Sequence, residues 1–177
     1  MKAFHRSARP RQRPSIPANW IFANVLTSQT IIDFGCGRGD DATYLEDAGY
    51  TVSRYDPVSF PDLPTHHHDF GLCAFVLNVV PSEAERKMVV AQLTKLCHTV
   101  LITARNGADF PDVWEEWVDG FKTGSGTFQK GIGEEEILKL TKNFVEAERV
   151  WTERSTTFLL GKSKGITSED ATGVEED

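Results

Sequence analysis

Asp33-Phe34-Gly35-Cys36-Gly37-Arg38-Gly39 places three glycines at every second position. The run follows the apolar segment Thr30-Ile31-Ile32 and leads straight into Asp40-Asp41. A short apolar run that stops at a glycine cluster has the form of a buried parallel strand. Glycine lacks a Cβ, so a loop of this kind can turn tightly and lie close against a ligand. Two acids at the start of the next segment suit the positive end of a helix dipole. Strand, glycine loop and helix in this order open an α/β sheet. The spacing differs from the dinucleotide fingerprint G-x-G-x-x-G, because the third glycine comes one residue early. Asp33 also stands two residues before the first glycine. An acid there is unhelpful beside a pyrophosphate and suits a ligand that carries an ammonium group.

The rest of the chain extends this beginning. Hydrophobic spacing predicts a helix over Ala18–Leu26, the strand ending at Phe34, and a helix over Asp40–Ala48 stopped by Gly49. Tyr50–Tyr55 alternates as a strand and ends at Asp56-Pro57. Residues 57–68 hold Pro57, Pro61 and Pro64 and read as loop. The first half of Phe70–Val80 is the third strand in the chain. Ser82–Leu96 is a helix opened by the capping box Ser82-x-x-Glu85. A strand over His98–Thr103, helices over Pro111–Phe121 and Glu134–Asn143, and a hairpin of Val145–Trp151 with Ser155–Lys162 complete the pattern. The expected class is α/β, Rossmann-like, with a mostly parallel sheet and a C-terminal antiparallel hairpin.

Charge divides the 177 residues into three parts. Lys2, Arg6, Arg9, Arg11 and Arg13 make a basic, proline-containing arm over 1–17. The domain is expected over 18–164, with a disordered acidic tail over 165–177. The net charge of −7 does not suit broad, non-specific duplex binding. The arm is either a solvated terminus or a guide for an anionic substrate. Cys36, Cys73 and Cys97 are widely spaced and lack a CxxC pair, which points to a reducing cytoplasm. No secretory signal and no membrane span is expected.

Asp56 lies 17 residues beyond Gly39, at the end of the second strand. A carboxylate there can accept from both hydroxyls of a ribose, or it can simply form a turn before Pro57. The stretch IIDFGCGRGDDATYLEDAGYTVSRYD, residues 31–56, resembles motif I through the second strand of class I S-adenosylmethionine-dependent methyltransferases. DFGLCAFVLNVVPSEAERKMVVAQLTKL, residues 69–96, resembles that superfamily's fourth strand and following helix. Three pieces, DFGCGRGDD, FVLNVVPSEAER and GTFQKGIGEEEI, and the basic start resemble the methyltransferases found with DNA phosphorothioation systems.

The resemblance implies the class I methyltransferase sheet and S-adenosylmethionine as cofactor. Asp33, Gly35, Cys36, Gly37, Gly39 and Asp56 would hold the cofactor, with the backbone carbonyls around Phe75 and Val76 facing its ammonium. Only 13 residues separate Asp56 from Phe70, too few for the usual helix and edge strand. That edge strand is therefore expected to be missing. Asn78, just past the third strand in the chain, either orients an in-line displacement as a catalytic amide or satisfies local backbone. Arg105, Gln129 and Lys130 are candidate substrate residues, with a structural ion pair or a plain connector as the alternatives. His66-His67-His68 are adjacent and so point in different directions, and no metal is expected. The four tryptophans read mainly as core and cover.

The function expected is methyl transfer to a nucleic acid or a small molecule. A non-catalytic cofactor-binding subunit or sensor, working with a partner protein, is the alternative. A nicotinamide enzyme fits the glycine spacing poorly.

Overall fold

The structure, a computed structural model, describes residues 13–165. The expectations for most of the basic arm and for the acidic tail lie outside these residues. Four helices, α1 (Ile16–Asn24), α2 (Asp40–Asp47), α3 (Glu83–Thr94) and α4 (Glu134–Thr141), alternate with nine strands. The strands are β1 (Thr30–Phe34), β2 (Thr51–Tyr55), β3 (His68–Ala74), β4 (Cys97–Arg105), β5 (Glu115–Trp117), β6 (Gly120–Lys122), β7 (Phe128–Gln129), β8 (Val145–Glu153) and β9 (Thr156–Ser163).

The main sheet has the order β2-β1-β3-β4-β9-β8. Its first four strands are parallel, and β9 and β8 join antiparallel. Successive residues of a strand face opposite sides, so buried Ile31 and Ile32 belong to two different cores. Ile31 meets Ile21, Leu45, Phe70 and Leu101 in the core that includes Ile21 of α1 and Leu45 of α2. Ile32 meets Cys73, Leu93, Ile102 and Leu159 in the core that includes Leu93 of α3 and Ile137 of α4. Among the described residues β2 is the sheet edge, and residues 57–67 form no strand beyond it, as their length and prolines predict. Among the described residues no helix is long and apolar enough to cross a membrane.

Local chemistry sets the boundaries. α1 starts two residues earlier than expected, because Ser15 Oγ caps it at Ala18 N (3.2 Å) and Pro17 fits the first turn. The amide of Ser15 donates to Asp41 Oδ1 at 2.9 Å, which ties α1 to the start of α2. Ser82 Oγ accepts from Glu85 N, as the capping box predicts.

One expected element is different. Pro111–Phe121 is not a helix. It contributes to a small antiparallel sheet, β5-β6-β7. Trp117 pairs with Gly120 across a two-residue turn, Val118-Asp119, in which Val118 has φ 59°. Gly120 begins β6 directly after this turn, and a Cβ there would lie 2.6 Å from Gln129 O, so glycine is what lets the strands approach. A helix would also need a core to face, yet Val113 and Val118 are 86% and 72% exposed. The whole segment leaves and rejoins the main fold at one point. Ile132 N donates to Arg105 O at 2.8 Å, and a Cβ on Gly131 would lie 2.7 Å from Asn106 O.

Candidate functional site

Open α/β sheets place their sites at the carboxyl ends of the parallel strands. Here those ends carry Asp33, Asp56, the turn after Ala74, and Arg105. The amides of Gly35 and Cys36 both donate to Tyr55 O, at 2.7 and 3.0 Å. The glycine loop is thereby fastened to the end of β2, beside Asp56. Gly35 has φ 78°, and a Cβ there would run into the Val76 side chain. Glycine is thus required both by the turn and by the approach to the residue 75–76 segment. Gly37 and Gly39 also have positive φ, 57° and 81°, and Gly39 caps the start of α2.

Asp33 is 2% exposed at the end of β1. Asp56 is half-buried, and its Oδ1 accepts from Val58 N (3.0 Å) and Ser59 N (2.9 Å). The turn-forming role of Asp56 is therefore real, but it uses one oxygen. Oδ2 takes no part in that turn. Between the two acids sits Cys36, whose thiol is pushed up to about 12 by burial and then by the charges of Asp33 and Asp56. Such a thiol stays protonated at neutral pH and is a poor redox sensor.

Arg54 was not singled out by the sequence. Its guanidinium forms a bidentate pair with Glu46 (2.6 Å to each oxygen), donates to Thr43 Oγ1 and lies 5.8 Å from the Phe60 ring. A Cβ on Gly39 would come within 3.0 Å of its Nε. Its position in β2, two residues before Asp56, was the only signal available.

Beyond β3 the chain turns sharply. Phe75 has φ 60°, a rare value for a non-glycine residue, and its amide donates to Thr103 O at 3.0 Å. The Val76 carbonyl accepts from Val79 N at 3.1 Å and closes a single 3-10 turn, Leu77–Val79. Asn78 is 1% exposed. Its Nδ2 donates to Arg105 O (2.9 Å) and Lys130 O (2.5 Å), and its Oδ1 accepts from Arg105 N (2.8 Å). Both amide protons are committed to backbone, so this geometry offers no side-chain donor for a reacting group. Asn78 instead joins three strand ends.

The remaining candidates lie around the small sheet. Arg105 pairs with Asp109 at 2.8 Å and covers the Phe110 ring at 4.6 Å. Lys130 donates to Asp119 O at 2.9 Å and pairs with Glu136 at 3.2 Å. Fully buried Arg86 donates to Val80 O (2.7 Å) and forms an ion pair with Asp119. Gln129 lies in β7, and its Oε1 is buried with no hydrogen-bond partner among the described residues.

The histidines and two of the tryptophans have structural surroundings. His68 is held between Ser53 Oγ (2.9 Å) and Leu96 O (3.2 Å), and burial lowers its pKa. His67 faces His98 instead, with ring centroids 4.2 Å apart. Trp20 and Trp151 pack together at 5.9 Å, and Trp151 stacks on Phe158 at 4.8 Å.

No protein-family profile and no curated protein matches this sequence. Solved structures do. The 1,6-didemethyltoxoflavin-N1-methyltransferase of Burkholderia thailandensis, with bound 1,6-didemethyltoxoflavin and S-adenosylhomocysteine, aligns at TM-score 0.60 and 16% identity over 83% of this chain and 75% of that one. A SAM-dependent methyltransferase of Methanosarcina mazei aligns at TM-score 0.60 and 16% identity over 86% and 99%. The magnesium protoporphyrin IX methyltransferase of Synechocystis PCC 6803, with bound SAM, aligns at 0.57 and 16% over 83% and 76%. The chain thus has the Rossmann-like α/β fold of class I methyltransferases, a mostly parallel sheet with an antiparallel hairpin.

Proposed function

We propose that this chain binds S-adenosylmethionine across the glycine loop and transfers its methyl group to an acceptor seated at the ends of β3 and β4. The observation that carries the reading is the pair of hydrogen bonds that Gly35 N and Cys36 N donate to Tyr55 O. It holds a loop without side-chain bulk against the carboxylate at the end of β2. The residues fit the cofactor. The absence of a Cβ at Gly35 lets the loop lie directly against Val76, at the strand ends that also carry Asp33 and Asp56. Buried Asp33 sets a negative field for an ammonium, with the Phe75 carbonyl beside it. Asp56 Oδ2 suits ribose hydroxyls, while Cys36 fills the loop.

When bound, the sulfonium supplies an electrophilic methyl group. In-line displacement then needs orientation and exclusion of water more than acid–base chemistry. Asn78 supplies orientation by fixing the ends of β4 and β7 to the turn after β3, so its role is positioning. Arg105, Gln129 and Lys130 lie around the acceptor end. The neighbouring enzymes with bound SAM and S-adenosylhomocysteine support the cofactor. The three motifs that resemble those of phosphorothioation-associated methyltransferases support a narrower kinship with that group. A cytoplasmic site of action fits the three unpaired cysteines. A non-catalytic cofactor-binding subunit is the second reading, favoured by the full commitment of the Asn78 amide.

Calorimetric titration with S-adenosylmethionine and, separately, NADH tests the reading. The expected result is micromolar-range binding of the sulfonium cofactor, lost in Asp56→Ala and Gly37→Val, with no response to NADH. Absence of binding to the folded native chain would overturn it.

A further inference from the structure

Residues 106–131 carry side chains that cofactor binding does not use. Pairing places Glu116 opposite Phe121 and Phe121 opposite Gln129. One face of the small sheet therefore presents a carboxylate, a ring and an amide in a row. Phe121 meets Phe110 edge-on at 6.1 Å, and Phe110 packs on Trp114 at 4.9 Å. All three rings are half-exposed, and the Arg105 guanidinium lies over Phe110. Buried Gln129 Oε1, lacking a partner among the described residues, destabilises the protein unless a ligand or water donates to it.

Position and charge narrow the ligand. Asn78 bonds the backbone of Arg105 and of Lys130, the neighbour of Gln129, so this face adjoins the strand ends where the methyl group would be presented. Exposed Glu116 lies on this face and exposed Asp112 follows Phe110 in the chain, while Asp109 and Asp119 are taken up by Arg105, Arg86 and Lys130. Lys130 is paired with Glu136, and Arg105 with Asp109. A phosphate or sulfonate would be repelled here, and a phosphodiester chain most of all. Flat rings offer stacking to a flat partner.

We propose that this face is the acceptor subsite and takes a free, planar aromatic molecule, neutral or cationic, whose N–H or O–H donates to Gln129 Oε1. The word acceptor rests on the methyl-transfer reading; the ligand chemistry rests on the small sheet itself.

The test uses the full chain at pH 7 and tryptophan fluorescence, with 3-aminoquinoline, quinoline, 2-naphthalenesulfonate and a single-stranded oligodeoxyadenylate as probes. 3-Aminoquinoline, neutral at pH 7 like quinoline, should bind about tenfold more tightly than quinoline, the worth of one good hydrogen bond. In Gln129→Leu the two should bind alike, and Tm should hold or rise, because an unpartnered buried oxygen is removed. Phe121→Ala should weaken both quinolines equally. The sulfonate and the oligonucleotide should bind less well than quinoline. The proposal is overturned by equal binding of the two quinolines to the native chain, by a preference that survives in Gln129→Leu, by tighter binding of either anion, or by no binding at all. A parallel calorimetric titration with S-adenosylmethionine separates the two readings. Cofactor binding without probe binding overturns only the subsite, and probe binding without cofactor binding overturns only methyl transfer.

Discussion

Residues 30–56 and residues 106–131 meet at the same strand ends and are held there by different forces. The first region is fixed by backbone. Its strand β1 is buried on both faces, its loop hangs on one carbonyl, and Gly35 leaves no room for a side chain. The second is fixed by charge. Arg86, Asp119, Lys130 and Glu136 tether a small sheet that leaves Val113, Trp117 and Val118 exposed. A region held by backbone and packing has one geometry. A region held by a partly exposed ion network can loosen without disturbing the sheet beneath it. On the proposed reading, the contrast divides a rigid cofactor end from an adjustable acceptor end.

The sharpest way to break this contrast is Gly35→Ala. The added methyl group must adopt φ near 78° and enters the space of Val76. Strain and overpacking together should cost about 3 kcal/mol, read as a lower urea midpoint, with cofactor binding lost. Adding Val76→Ala should restore part of the stability by opening that space. If Gly35→Ala folds with native stability, the loop is not held as described.

A smaller effect is expected on the other side. Asp119→Ala strips fully buried Arg86 of its carboxylate. Breaking a fully buried pair costs about 3–5 kcal/mol. Asp119 is 40% exposed, so solvent screening reduces this to about 2 kcal/mol. Hydrogen exchange should rise over residues 115–129, while cofactor affinity stays near native. Equal loss of cofactor affinity would show that the two regions are not separable.

The smallest effect is expected from acid. Partial burial works against ionisation of Asp119, but the hydrogen bond and charge of Arg86, with Lys130, outweigh it and hold the carboxyl below its usual range. A lowered folded-state pKa gives stability that is present above the unfolded value and lost as pH falls through the folded one. The small sheet should therefore hold at neutral pH and loosen only on strong acidification. Tryptophan fluorescence should report that step, and the step should be absent in Asp119→Ala.

These differences also mark what the sequence could reveal. Ser82-x-x-Glu85 and the glycine loop are local signals, and both elements form where those signals place them. Val113, Trp114, Trp117, Val118 and Phe121 imitate one face of a helix, yet three of them are exposed, so their spacing did not report burial. Gly120 is the residue that speaks against a helix, since glycine disfavours a helix interior and here admits the close approach of Gln129 O. The Asn78 bonds run to residues 27 and 52 positions away. Only the folded chain decides that a strand-end amide will face those two carbonyls rather than a ligand. Arg54 was hidden for the same reason, since its partners Thr43 and Glu46 lie on another element.

The bond from Ile132 N to Arg105 O closes a stem under everything between them. A segment that begins and ends at one place can be exchanged as a cassette, because the main strands need only the two ends of the stem. Selection, or an engineer, could transplant a different insert there and change the proposed acceptor subsite while leaving the glycine loop untouched.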